Sequence, residues 1–149
     1  MVPLRDRKKS PCEFLNVGCD IDERASEIYE NIPKSRWRSV GNRIESYGAE
    51  IIDQLIAGNG IDVKTLDDYK VRRRCFQIAR MTLFKLSHRI DTAQTSCNLS
   101  DTYVEQWQGL IDRELSLVEG EITSARRRYA FVMHGVRAVD AVYGNGMKE

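Results

Sequence analysis

Apolar positions recur along the chain in four stretches with the spacing of a helix face. In the first, Phe14, Val17, Ile21, Ala25, Ile28 and Ile32 follow one another at steps of three and four, which stacks them on one side of an α-helix. Pro33 is expected to end that helix, because proline lacks the N–H that would continue the ladder. Ser35 then offers a hydroxyl to cap the next one. The second stripe is Trp37, Val40, Ile44, Tyr47, Ile51, Ile52 and Leu55, and "AGNG" stops it. Gly41 and Gly48 flank this stripe and let a neighbouring helix come close. Thr65 with Asp68 has the spacing of a capping box, and Phe76, Ala79, Leu83, Leu86 and Ile90, flanked by Tyr69 and Cys75, form the third stripe. "DTAQTSCNLSD" breaks the pattern, with Ser100 or Asp101 placed to cap a fourth helix carrying Val104, Trp107, Ile111, Val118, Ile122 and Ala125. The phase continues through Tyr129, Val132, Val136, Val139 and Tyr143. That predicts either one helix of about 40 residues, roughly 60 Å long, or a break at Gly135.

Four such stripes joined by short connections predict an all-α fold, an antiparallel up-down-up-down four-helix bundle with a long or extended C-terminal helix. The organisation expected is a basic N-terminal tail over 1–11, the bundle over 12–128 and a C-terminal helical extension over 129–149. A chain of 149 residues with 42% hydrophobic and 30% charged positions is long enough to bury one core. Its apolar runs are too short to cross a bilayer, and "MVPLRDRKKSPCEF" has no apolar signal core, so a cytoplasmic protein without membrane contact is expected.

Charge changes this picture, because it is segregated although the net value is only +1. Residues 12–31 hold six acids against Arg24 alone, while 70–90 hold Lys70, Arg72, Arg73, Arg74, Arg80, Lys85 and Arg89 with no acid. Local patches of this kind set what a protein attracts. On a helical wheel Lys70, Arg73, Arg74, Arg80 and Lys85 lie opposite the core with Met81 and Phe84 among them, and Arg89 lies at the edge. Apolar groups among cations suit an oligomer or partner contact, and the cations suit nucleic-acid phosphates or an acidic protein surface. Arg72 falls inside the apolar stripe, a place for the open end of the bundle or for a buried acidic partner. A second basic run, Lys34, Arg36, Arg38 and Arg43, opens the second helix, where the helix dipole disfavours positive charge by tenths of a kcal/mol each. "RRR" at 126–128 suits a helix C-terminus.

The motifs of catalysis are missing. There is no GxxxxGK[ST], HExxH or GxSxG, and His88 and His134 stand alone. Cys12, Cys19, Cys75 and Cys97 form no CxxC pair, so neither a metal nor any other cofactor is expected, and a non-enzyme is the reading.

The junction "IYENIPKSRWRSVGNRIESYGAEIIDQLIAG" resembles the first helix-to-helix junction of the accessory variability determinant proteins, partners of the reverse transcriptases of diversity-generating retroelements. The resemblance is carried by Pro33-Lys34-Ser35, the aromatic Trp37, Gly41 and Arg43-Ile44, and extends to an arginine-rich third helix and a fourth holding Trp107. Proteins encoded within intervening sequences of ribosomal RNA genes have a similar junction. The resemblance implies a non-catalytic homo-oligomer, a pentamer in that family, that binds RNA or RNA/DNA and the reverse transcriptase. The cations of 34–43 and of the third helix would then face nucleic acid. Two features depart from the family: near-neutral net charge with an acidic first helix, and the stretch from 129 onward.

Overall fold

The computed structural model describes residues 12–133, and these are helical, with no strand among them. Four long helices account for most of the described chain: α1 (Glu13–Ser26), α2 (Asn42–Asn59), α3 (Leu66–Ser96) and α4 (Asp101–Arg128). α1 packs on α2, α2 on α3, α3 on α4, and α4 returns to α1. The side-chain pairs run in opposite senses along neighbouring helices. Arg72 meets Glu121 and Gln94 meets Asp101 between α3 and α4, while Glu13 meets Arg113 and Arg24 meets Gln106 between α1 and α4.

The helix boundaries follow local chemistry, and three differ from expectation. α1 ends at Ser26, seven residues before Pro33. There the Ser26 hydroxyl donates to the Asp22 carbonyl (3.0 Å), and the Glu27 N–H is shared between the Glu23 and Arg24 carbonyls, which tightens the chain into a 3₁₀ turn over Ile28–Glu30. That tightening keeps Ile28 and Ile32 on the buried side. Ser35 is not a cap. It lies inside a second 3₁₀ turn, Lys34–Arg36, followed by a wide π-helical turn, Trp37–Gly41, that feeds α2 without any side-chain cap. α3 runs on through Ser96, into the stretch read as a break. It stops where Asn98 takes a left-handed conformation (φ 54°) and the Leu99 N–H reaches back to the Gln94 carbonyl. The Thr65–Asp68 capping box at the start of α3 forms in both directions, and the N-cap of α4 is Ser100, which accepts from the Tyr103 N–H.

The helix faces pack largely as their periodicity dictates. Phe14, Val17, Ile21, Ala25, Ile44, Ile51, Leu55, Phe76, Ala79, Leu83, Leu86, Ile90, Trp107, Ile111 and Val118 form one buried core. Trp37 is the exception, at the rim and 38% exposed. Gly48 gives α1 and α2 their close approach, since a Cβ there would lie 2.5 Å from the Ala25 Cβ. α4 closes at Arg128, so the continuous long helix does not form: the chain turns at Tyr129 and helical structure resumes over 130–133. The break comes six residues before Gly135, which lies outside the described residues together with Val136, Val139, Tyr143, His134 and the basic tail 1–11. Tyr129 turns inward instead, joining Val63, Tyr69, Ala125 and Val132 in a second small core at that end.

Candidate functional site

The junction between α1 and α2 is built around Tyr29. Its hydroxyl donates to Asn42 Oδ1 (2.6 Å) and its backbone carbonyl accepts from the Trp37 indole N–H (3.3 Å). The Tyr29 and Trp37 rings meet edge-on, with centroids 5.5 Å apart. Gly41 is required beneath them, because a Cβ there would sit 2.5 Å from Tyr29 Cε1. Around this aromatic pair Lys34, Arg36, Arg38 and Arg43 are all exposed, and none forms an ion pair with another described residue. The Lys34 ammonium lies 5.7 Å over the Trp37 ring. Lys34 and Arg36 precede the helix proper, so the dipole cost foreseen for four cations falls mainly on Arg38 and Arg43, with Glu45 in the same turn as a counterweight.

The basic run of α3 is acid-free along the chain but not in space. α4 brings Glu119 to 2.9 Å from Arg80 and Glu121 to 2.7 Å from Arg72. Lys70, Arg74 and Lys85 are exposed without an ion pair to a described residue, while Arg73 and Arg89 are half-buried along the helix edges. Met81 and Phe84 are 52% and 48% exposed, and the Arg80 guanidinium lies over the Phe84 ring at 5.0 Å. Lys70 and Arg89, nineteen positions apart, are separated by about 28 Å of helix. The junction cations lie at the end where α4 begins, beside Arg24 and Tyr103, and Lys70 and Arg74 lie toward the end where α4 finishes. The ten sequence-predicted cations therefore form no single compact patch: four sit at the junction, and the rest are spread along α3 from Lys70 at the far end to Arg89 near the start of α4.

Arg72, the cation inside the apolar stripe, has an acidic partner, and that partner is half-buried. Arg72 itself is 3% exposed, paired with Glu121, and flat against Phe76 (4.5 Å) and Tyr129 (5.2 Å), so it joins the two cores. Arg128 also reaches Glu121 (2.9 Å), which gives the last arginine of the triplet a structural task.

The α1–α4 interface holds what periodicity did not reveal. Glu114 sits one turn after Ile111 on the core face of α4 and is fully buried, with neither oxygen hydrogen-bonded to a described residue. Gly18 is its floor: a Cβ there would lie 3.0 Å from Glu114 Oε2. Burial, reinforced by the negative charges of Glu13 and Asp20 and partly opposed by Arg113, pushes the Glu114 carboxyl up to about 9. Glu114 is spaced like a core residue in the fourth stripe, three positions after Ile111 and four before Val118, and that phase was the available signal. On the outer side of α1 and α2, burial and then the charges of Asp53 and Glu45 raise Asp22. This edge gathers three acids, Asp22, Glu45 and Asp53.

Among the described residues no group of three or more His, Cys, Asp and Glu side chains is placed to hold a metal ion, and no disulfide joins the four cysteines. No described helix is long and apolar enough to cross a membrane. Comparison with family models, with curated proteins and with solved structures finds no match for the chain.

Proposed function

We propose that the chain is a non-catalytic, oligomeric accessory subunit that binds nucleic acid and a reverse transcriptase, supporting cDNA synthesis in the manner of the accessory variability determinant proteins it resembles. Its scaffold is an up-down-up-down antiparallel four-helix bundle, its location the cytoplasm, and it needs neither cofactor nor metal. One observation carries the reading: seven cations, Lys34, Arg36, Arg38, Arg43, Lys70, Arg74 and Lys85, stand exposed without an ion pair to a described residue. Exposed cations without competing acids release counterions from phosphates, the main drive of nucleic-acid association. The test is charge reversal at Lys70, Arg74 and Lys85 in one variant, with binding to RNA followed against salt. Three lost phosphate contacts should lower the salt slope by about 2 for a single strand. Unchanged affinity in the folded variant would remove α3 from the interface.

A second reading, a helical protein–protein module without nucleic-acid binding, is favoured by two further features. Arg80 is already neutralised by Glu119, and Met81 and Phe84 offer apolar area beside it. The acidic edge of Asp22, Glu45 and Asp53 is a complementary surface on the same chain. Under this reading self-association dissolves at high salt while RNA binding stays negligible. Light scattering on nuclease-treated protein at low and high salt separates the two, and a salt-resistant pentamer supports the accessory-subunit reading.

A further inference from the structure

We propose that Trp37 is a stacking platform for an unpaired nucleobase, and that the junction 33–43 takes single-stranded nucleic acid in preference to duplex. The proposal rests on the nucleic-acid reading above and adds the form of the strand and the residue that grips it. The Trp37 indole, 38% exposed at a rim, presents part of its ring to solvent, whereas the other tryptophan, Trp107, is fully buried. Trp37 is held in a fixed orientation by the hydrogen bond from its Nε1 to the Tyr29 carbonyl and by its near-perpendicular contact with the Tyr29 ring. Tyr29 is itself fixed by Asn42 and by its fit over Gly41. A ring that is already immobile loses little freedom when a base stacks on it.

The charges around the ring complete the site. Lys34 lies over the indole at 5.7 Å, and Arg36, Arg38 and Arg43 follow within nine positions, exposed and without an ion pair to a described residue. An aromatic face flanked by cations fits a strand whose base stacks while its adjacent phosphates are neutralised. Duplex DNA or RNA keeps its base faces inside the helix and can use only the cations. The other rim residues near exposed cations, Met81 and Phe84, lack a flat ring held by a hydrogen bond, which is why the junction is chosen over α3.

The experiment titrates the full chain with short oligothymidylate and oligouridylate, and with a duplex of the same length, following intrinsic tryptophan fluorescence and the anisotropy of labelled strands. Because Trp107 is fully buried, quenching on binding reports Trp37. The expected result is quenching by single strands only and a roughly ten-fold loss of single-strand affinity in Trp37→Leu with the salt slope unchanged. Trp37→Phe, which keeps a ring, should retain most of the affinity. Wild-type binding without quenching, Trp37→Leu affinity equal to wild type, or equal affinity for duplex overturns the stacking proposal. If the wild-type chain binds while the Lys70, Arg74 and Lys85 reversal weakens it and Trp37→Leu does not, the stacking falls alone. If the wild-type chain binds neither form, the nucleic-acid reading falls with it. Should Trp37→Leu fail to fold, the fluorescence of the wild-type complex decides the matter unaided.

Discussion

Replacing Glu114 by glutamine should stabilise the protein, and increasingly so as pH rises. The side chain is fully buried against Gly18, and its carboxyl is pushed from the ordinary 4.5 to about 9. Between those two values the unfolded chain carries a carboxylate while the folded protein keeps the proton. The folded state therefore binds one proton more, and stability falls as pH rises through this window by about 1.4 kcal/mol per unit. From 4.5 to 7 the loss amounts to about 3 kcal/mol, and it levels off above pH 9. Glutamine has the same shape and no proton to lose, so Glu114→Gln removes this slope and leaves the packing in place. Urea denaturation followed by circular dichroism at pH 5, 6, 7 and 8 measures the difference. The two proteins should be nearly equal at pH 5, and the variant about 3 kcal/mol more stable at pH 7, a rise in melting temperature of roughly 6–12 °C. Curves that stay parallel across this range would refute the reasoning, because they would mean that Glu114 is ionised in the folded state or reached by solvent.

Three further substitutions probe the packing. Arg72→Ala should cost about 3 kcal/mol in urea denaturation, since it removes the stacking on Phe76 and Tyr129 and the pair with half-buried Glu121, with Arg128 still beside the acid to moderate the loss. A cost below about 1 kcal/mol would show that the second core does not depend on this bridge. Gly48→Ala, whose new Cβ would press on Ala25 at 2.5 Å, should destabilise by about 1–3 kcal/mol as α1 and α2 part. Gly120→Ala, with nothing within 4 Å, should instead stabilise by about 0.5–1 kcal/mol, so equal effects at the two glycines would contradict the close α1–α2 approach.

The sequence by itself determined the elements and their inward faces. The three-and-four spacing of Phe14 through Ala25, of Phe76 through Ile90 and of Val104 through Val118 selects helices, because only a helical backbone brings those positions to one side. Thr65 and Asp68 fixed the start of α3 within four residues, because capping is a local bond. Three things were decided by tertiary structure. The uncapped π turn before α2 goes with the fit of Tyr29, Trp37 and Gly41, residues brought together across a junction. Tyr129 kept the helical phase yet broke the helix, because its ring packs near Tyr69 and over Arg72. The charge pattern changed most. An acid-free run of α3 gained Glu119 and Glu121 from α4, and a carboxyl on the apolar face of α4 was sealed against α1. Hydrophobic order is read along one helix at a time, whereas the partner of a charge comes from another helix, and nothing along a single helix names it.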